Sequence, residues 1–312
     1  IQAAVNACTS GVVRFPAGTY LIATTITLSN SGVTIQGEGS KATKLQAVGD
    51  HTNLLTITPG LTDLTIRDMW LACAWVTVDQ DEDSSWGNAV YARATSGAKV
   101  TRLVVDSCHF TGTHNDINMF YNEYPRITNN TADNASHFYA NVFIDRTNNA
   151  IVTGNHWHST STNASNAVYV QTQFVDGLEF ASGLVIADNI VTGLYSYEVF
   201  LLSDTSYSTI TGNTINVEST IDHTVGIVLA VAGPAQTTEP TTSKCRFNTI
   251  SNNSITITTT AGGGTNETGI YLGTALALGP EDNIVCGNAI TLIGNTASAI
   301  LGINAKRNTS FV

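Results

Sequence analysis

The chain has 312 residues, of which 42% are hydrophobic and only 12% charged, and its net charge is −11. Its 13 Lys and Arg residues form no cluster that could bind phosphates, so the sequence predicts no nucleic-acid partner. No apolar run reaches the roughly 18 residues of a membrane-spanning helix, and five widely spaced cysteines without a CxxC pair argue against a zinc site and a disulfide framework.

The residue types of the chain favour strands and tight turns. Charged residues are few and the polar residues are mainly Thr, Asn and Ser, which bond readily to turn backbone. This composition favours stacked strands over amphipathic helices.

A short apolar strand then recurs along the chain. Between Val90 and Ile300 it takes seven steps over 210 residues, a mean of 30 residues per coil. Its copies are Ala89–Ala92, Asn118–Tyr121, Asn141–Ile144, Ala167–Val170, Glu198–Leu201, Gly226–Leu229, Gly269–Leu272 and Ala299–Gly302.

A second repeat, in phase with the first, places an asparagine in a turn before alternating apolar residues. These asparagines are Asn130, Asn155, Asn189, Asn213, Asn253 and Asn288. Asparagine tolerates the left-handed backbone of a sharp bend, and stacked asparagines can hydrogen-bond to each other. Together the two repeats predict an all-β fold, a single-stranded right-handed parallel β-helix.

The strands also predict which side chains face outward. Residues two apart share a face, so an inward Phe143 would bring Asp145 inside, and an inward Phe200 would bring in Glu198. Unpaired buried carboxylates are costly, so the aliphatic residues should line the core. An aromatic column is then expected outside: Tyr91, Phe120, Phe143, Tyr169 and Phe200, followed by Val228 and Tyr271.

This aromatic column is predicted to form the floor of a polysaccharide groove, because flat apolar sugar faces pack on aromatic rings. Cover by a neighbouring subunit or by long loops is the alternative. Asn122, Arg146, Gln171 and Asp116 flank the column and are the other predicted substrate-binding residues.

Carboxylates beside the column supply the predicted catalytic groups. Glycoside hydrolysis uses two carboxylates, about 5–5.5 Å apart for retention and about 6.5–9.5 Å apart for inversion. Asp145 aligns beside Glu123 on adjacent coils, and the two are predicted to be the acid and the nucleophile or base. Glu198, two coils above Asp145, would need a partner from another subunit. A solvated carboxylate pair bridged by Arg146 is the alternative.

No metal or other cofactor is predicted. Asp79–Asp83 alternates carboxylates but lacks the glycine and terminal glutamate of a calcium loop, so a solvated loop is expected. His156 and His158 share a strand face and could bind a metal with His137, but surface histidines at a turn are the expectation.

The segments Gly11–Ile22 (GVVRFPAGTYLI) and Val33–Ser40 (VTIQGEGS) resemble the opening coils of the pectate-lyase-like superfamily, especially the branch of bacteriophage tailspikes and polysaccharide depolymerases. Ile1–Cys8 resembles the short helix that caps the β-helix in that family. The resemblance therefore implies a single domain over residues 1–312, with an N-terminal cap over 1–10 that contains a short capping helix over 1–8, entry coils over 11–60 and regular coils over 61–312. The resemblance implies a β-helix over nearly the whole chain, a homotrimer, and a virion-tail or extracellular location. It does not fix the activity, because the superfamily includes hydrolases, lyases, esterases, epimerases and non-catalytic adhesins.

The resemblance therefore implies a tailspike-like protein that binds and hydrolyses a bacterial surface polysaccharide. The polygalacturonase motifs, and the calcium carboxylates and catalytic arginine of pectate lyases, are absent from the sequence. A non-catalytic glycan adhesin or tail structural protein is the first alternative. A polysaccharide lyase is the second, against which the scarcity of Lys and Arg counts.

Overall fold

The computed structural model describes residues 1–49, 52–74, 87–134, 139–160, 166–171, 180–219, 224–231, 245–259, 267–274, 282–294, 301–305 and 310–311. After the helix Gln2–Ala7, the chain winds repeatedly through three parallel sheets, here named A, B and C. It is a right-handed parallel β-helix, as the sequence predicts. Within these ranges no helix is long and apolar enough to cross a membrane.

Coils contribute one strand to each sheet and pair in parallel with the neighbouring coils. On one coil two strands, Asn122–Glu123 and Arg126–Thr128, both pair with Val100–Asp106 in sheet A. Sheet A contains Gly11–Arg14, Val33–Gln36, Thr62–Arg67, Val100–Asp106, Asn122–Glu123, Arg126–Thr128, Ile151–Thr153, Val185–Ala187, Thr209–Thr211, Thr249–Ser251, Ile284–Cys286 and Ser310–Phe311. Sheet B contains Gly18–Ile22, Thr43–Ala47, Trp70–Ala72, His109–Thr111, Thr131–Asn134, His156–Ser159, Ile190–Leu194, Thr214–Ser219, Ser254–Thr259 and Ala289–Ile293. Sheet C contains Ile26–Leu28, Leu55–Ile57, Asn88–Arg93, Asn115–Phe120, Ala140–Asp145, Asn166–Val170, Glu198–Ser203, Val225–Val231, Thr268–Thr274 and Leu301–Ala305.

Aliphatic side chains fill the lumen, as predicted. On sheet A one inward column consists of Ile127, Val152, Ile186, Ile210, Ile250 and Val285, all at most 3% exposed. β-Branched residues suit such stacking because their side chains pack well against neighbours on a pleated surface. Most of the buried hydrophobic residues belong to one continuous core.

A buried asparagine ladder runs through the turn between sheets A and B. The six predicted asparagines stack in chain order, and each of the first five donates an Nδ2 hydrogen bond of 2.9–3.0 Å to the Oδ1 atom of the next. The same Oδ1 atoms also accept bonds from the backbone amides one coil earlier. The predicted stacking is therefore confirmed.

The predicted backbone of that turn was wrong in one detail. The left-handed residue is the one before each ladder asparagine, as at Asn129 (φ 55°) and Gly154 (φ 67°). This leaves the following asparagine free to point inward and bond to its neighbours. Glycine suits position 154 because a Cβ atom there would lie 2.9 Å from the Oδ1 atom of Asn129.

The register of sheet C corrects the predicted strand repeat. Its central inward column is Val90, Ile117, Val142, Val168, Phe200, Ile227, Ile270 and Ile303. Relative to this column, the predicted copy Asn118–Tyr121 was placed two residues too late, Glu198–Leu201 one too early and Ala299–Gly302 three too early. A shift of one or three residues exchanges the inner and outer faces, whereas a shift of two keeps them.

The ladder predicts a large and local loss of stability when one rung is removed. Asn189→Ala should lower the free energy of unfolding by about 3 kcal/mol or more, because each buried partner left unbonded costs about 1–3 kcal/mol. Asn189 accepts bonds from the backbone N and Nδ2 of Asn155 and donates to the Val152 carbonyl and to Asn213. Urea-induced unfolding measures the change.

The matched control is Asn216→Ala, at an exposed position on the outer face of sheet B. It should change stability by no more than about 0.5 kcal/mol. Equal effects of the two substitutions would contradict the role given to the ladder.

Candidate functional site

The outer face of sheet C carries two columns of side chains. The central column is Tyr91, Asn118, Phe143, Tyr169, Leu201, Val228 and Tyr271. Beside it, Arg93, Phe120 and Asp145 align on successive coils, and Gln171 and Ser203 follow in the same column.

Four aromatic rings on this face form a compact cluster. Phe120, Tyr139, Phe143 and Tyr169 have neighbouring ring centroids 5.2–5.6 Å apart. Phe143 is 2% exposed and Phe120 is 6% exposed, while Tyr169 is half-buried. The continuous open stripe predicted from the sequence is therefore wrong for these coils. Arg93 lies 3.6 Å from the centroid of the Phe120 ring, which places a cation over the cluster.

Phe200 does not belong to the outer face. It aligns with Val168 and Ile227 in the inward column, is 0% exposed and packs in the main core. The prediction failed because the Glu198–Leu201 copy was aligned one residue too early. Leu201 takes the outward place beside Tyr169.

The three predicted catalytic carboxylates lie in different places. Asp145 is fully buried and level with Phe120, and Glu123 is level with Asn148 around the bend into sheet A. The predicted alignment of Glu123 beside Asp145 was therefore wrong. The cause is the left-handed residue Tyr121 (φ 50°), which turns the chain out of sheet C before Glu123.

Each of these carboxylates has its own surroundings. Glu123 accepts a 3.1 Å bond from Lys99. Asp145 lies 3.8 Å from Nε of Arg146, which donates a 2.9 Å bond from Nη1 to the Tyr121 hydroxyl. Glu198 is the first residue of its sheet C strand and pairs with Val225 of the next coil. Asp145 is the last residue of its strand, so the two carboxylates lie at opposite ends of the sheet C strands.

Asp116 is not on the exterior. Its carboxylate accepts bonds from Thr113 at 2.5 Å and from Asn141 at 2.7 Å, and Asn141 accepts one from the Tyr195 hydroxyl at 3.1 Å. All of these residues are buried. Gly226 occupies the same column on a later coil, and a Cβ atom there would lie 2.7 Å from Ile255 of sheet B, so this column points into the lumen.

This inward network affects nearby ionisable groups. Burial, and secondarily the charge of Asp116, raise the pKa of the Tyr195 hydroxyl and of the Cys73 thiol. Both groups therefore stay protonated and uncharged at neutral pH. Asp116 is thus a structural residue, and its predicted contact with substrate is inconsistent with its burial.

Asn122 also has a structural position. It is fully buried and its Nδ2 donates 2.8 Å bonds to the carbonyls of Ala92 and Phe120. It therefore fixes the bend between sheets C and A. Two predicted polar substrate-binding residues do lie beside Asp145. Arg146 is the next residue in the chain, and Gln171 occupies the same column on the next coil.

Three polar atoms on the outer face stand out. The sequence analysis predicted Gln171 as a substrate-binding residue and missed Ser203. Asn118 Oδ1, Gln171 Oε1 and Ser203 Oγ are buried and have no hydrogen-bond partner among the described residues. Asp204, also missed, follows Ser203 in a left-handed conformation (φ 51°) and is 1% exposed. The sequence does show an aspartate, Asp204, directly after the strand Glu198–Ser203. It was overlooked because the predicted copy Glu198–Leu201 was aligned one residue too early.

A metal site is not formed by the described residues. Among them no group of three or more His, Cys, Asp or Glu side chains is arranged to hold an ion. His156 is exposed, and Nδ1 of His158 lies 3.0 Å from the Thr192 hydroxyl. Asp79–Asp83 and His137 lie outside the described residues.

No protein-family model and no curated protein matches the chain. Solved structures do match. The Agl-KA catalytic domain has a TM-score of 0.59 at 14% identity, covering 98% of this chain and 65% of that one. The catalytic domain of a GH87 alpha-1,3-glucanase in complex with nigerose has a TM-score of 0.55 at 13% identity, covering 97% and 64%.

The DFA-IIIase from Arthrobacter chlorophenolicus A6 in complex with DFA-III has a TM-score of 0.57 at 11% identity, covering 93% of this chain and 76% of that one. The chain spans less than two thirds of the lengths of the first two domains. At these identities the likeness shows the fold, a parallel β-helix.

The corrected register predicts opposite consequences for two aromatic residues. Phe200→Ala should cost about 3–5 kcal/mol of stability, because it empties a space in the lumen. Tyr169→Ala, at a half-buried outer position, should cost less than about 2 kcal/mol. Thermal or urea unfolding measures both losses. A larger loss for Tyr169→Ala than for Phe200→Ala would contradict the inward position of Phe200.

Proposed function

We propose that this chain binds a polysaccharide along the outer face of sheet C and hydrolyses it with the carboxyl groups of Asp145 and Asp204. The observation that carries the proposal is the set of unpartnered polar atoms on that face, at Asn118, Gln171 and Ser203. Buried polar groups are nearly always hydrogen-bonded, so such atoms call for a ligand or water. Sugar hydroxyls both donate and accept hydrogen bonds and would satisfy all three.

The aromatic residues of the face fit the same ligand. Tyr91, Tyr169 and Tyr271 are half-buried in the central outer column, where their rings can pack on the apolar faces of sugars. Solved structures with the same fold include an alpha-1,3-glucanase in complex with nigerose and a DFA-IIIase in complex with DFA-III. These likenesses support carbohydrate as the ligand class.

The two carboxylates fit a hydrolase of the inverting kind. Asp145 and the Ser203–Asp204 turn are two coils apart, or about 9.6 Å at roughly 4.8 Å per coil. Inverting enzymes separate their carboxyl groups by about 6.5–9.5 Å to leave room for a water molecule. Nε of Arg146 lies 3.8 Å from the Asp145 carboxylate, and we assign Asp145 as the general base. Asp204 would then be the general acid.

The assignment predicts that two conservative substitutions abolish cleavage. Asp145→Asn and Asp204→Asn should each lower kcat by about 10²–10⁴-fold, the usual contribution of general acid–base catalysis. Reducing ends released from a panel of bacterial O-antigens, capsules and exopolysaccharides give the readout.

Glu123→Gln is the matched control, because Glu123 is engaged by Lys99. It should cleave at nearly the wild-type rate. Loss of cleavage in Glu123→Gln with activity retained in Asp204→Asn would restore the Asp145–Glu123 pair that the sequence predicted.

A non-catalytic glycan adhesin is the second candidate. It is favoured by the burial of both carboxylates, Asp145 at 0% and Asp204 at 1% exposure. Binding of a polysaccharide on the same face without any release of reducing ends from the panel would identify this function.

We further propose that the chain acts at the tail of a phage virion, outside the cell, as a homotrimer that recognises a bacterial surface polysaccharide. The support is the resemblance of Gly11–Ile22 and Val33–Ser40 to tailspike opening coils. Light scattering should then give three times the chain mass of 33.0 kDa. A monomeric mass would contradict the trimer and leave the groove on sheet C unaffected.

A further inference from the structure

A second groove lies on the outer surface of sheet A, beyond the bend from sheet C. It has a volume of about 500 Å³ and is lined by Asp63, Thr65, Arg102, Val104, Tyr124, Arg126, Asn149 and Ile151. Thr65, Val104, Arg126 and Ile151 form one outward column on successive coils. The column of Glu123 and Asn148 lies between this groove and Asp145.

The charges around this groove leave one cation uncompensated. Arg102 donates two bonds to Asp63, at 2.6 Å and 2.7 Å, and the hydrogen bond from Arg102 lowers the pKa of the Asp63 carboxyl to about 2. At the margin, Lys99 pairs with Glu123. Arg126 is exposed and makes no ion pair or hydrogen bond with any described side chain. Because the other charges around the groove are paired, Arg126 gives it a local positive charge, which favours an anionic group in the ligand despite the net charge of −11 on the whole chain.

An exposed aromatic ring stands beside that cation in an unfavourable backbone conformation. Tyr124 has a φ of 56° and is 54% exposed. Bulky residues are rare in the left-handed region, where glycine and asparagine are preferred. Asn149 and Gly183 take the same turn position on the next two coils, so the fold does not require an aromatic residue there. Such strain at an exposed ring is typical of functional sites.

Further exposed rings lie at the same turn position on later coils. Tyr207 and Phe247 follow at this turn position, also with left-handed backbone, and their rings stack at 5.2 Å with an interplanar angle of 20°. Their exposures are 64% and 43%. This turn position therefore presents an aromatic ring to solvent on several coils.

We propose that this groove is a second carbohydrate site, which binds an acidic sugar residue of the uronate class. The Tyr124 ring packs on the sugar, Asn149 and Thr65 bond its hydroxyls, and Arg126 binds the carboxylate through its planar guanidinium. The site lies on a different face from sheet C and does not depend on the activity proposed there.

Calorimetric titration with trimers of galacturonate and of glucuronate tests the proposal, with maltotriose as the neutral counterpart. The Asp145→Asn chain is used throughout so that cleavage cannot complicate the measurement. We expect at least one acidic trimer to bind more tightly than maltotriose, with an affinity that falls as salt is added. Arg126→Gln should reduce that affinity at least tenfold. Arg14→Gln, an exposed arginine at the start of the same sheet, should leave it unchanged.

Tyr124→Asn separates binding from folding. Asparagine suits the left-handed turn, so Tm should be unchanged or higher while the affinity for the acidic trimer falls at least tenfold. The proposal is overturned if neither acidic trimer binds, if maltotriose binds equally well, or if Arg14→Gln weakens binding as much as Arg126→Gln. A change in oligomeric mass caused by Tyr124→Asn, with binding retained, would identify the groove as a subunit contact instead.

Discussion

Every part of this structure depends on coils that stack in parallel and in register. Each coil must present its backbone amides and carbonyls to the next at about 4.8 Å spacing, so an insertion can be placed only in a turn and never within a strand. The inward aliphatic columns fix which residues face the lumen. The asparagine ladder fixes one turn on six successive coils, because each amide before Asn288 is bonded to the coil on either side. A single misaligned residue would leave several of these groups unbonded.

The register also determines what the exterior can display. On sheet C the same constraint that sends Phe200 into the lumen brings Leu201 outward, and it places Gln171 and Ser203 in line with Asp145. In the lumen, Thr113, Asp116 and Asn141 bond to one another. On the outer face, Asn118, Gln171 and Ser203 each carry a buried polar atom without a partner among the described residues, and buried polar atoms of this kind call for a ligand or water.

The fold could be predicted from the sequence because its signals are repetitive. The ladder asparagines and the aliphatic alternation recur on many coils, so errors in one copy do not change the conclusion. The site is different, since it depends on single positions. Phe200 was misplaced because Val199, Phe200, Leu201 and Leu202 are all apolar, and such a run gives no alternation from which to read the inner face.

Turn geometry was the other source of error. The sequence around Tyr121 does not predict a left-handed backbone, because tyrosine is uncommon in that conformation. Without that bend, Glu123 seems to continue beside Asp145. The buried network around Asp116 was equally hidden, since it joins Asp116 and Asn141 of sheet C to Thr113 and Tyr195 in the turns between sheets B and C, and their contact depends on how that corner closes.

The central claim is that a polysaccharide occupies the outer face of sheet C. A cryo-EM or crystal structure of the Asp145→Asn chain with an oligosaccharide from a bound polysaccharide tests it most directly. The account predicts sugar density along the central outer column, with hydroxyls within hydrogen-bond distance of Asn118, Gln171 and Ser203. Sugar density confined to another face, with those three side chains bonded only to protein or water, would contradict it.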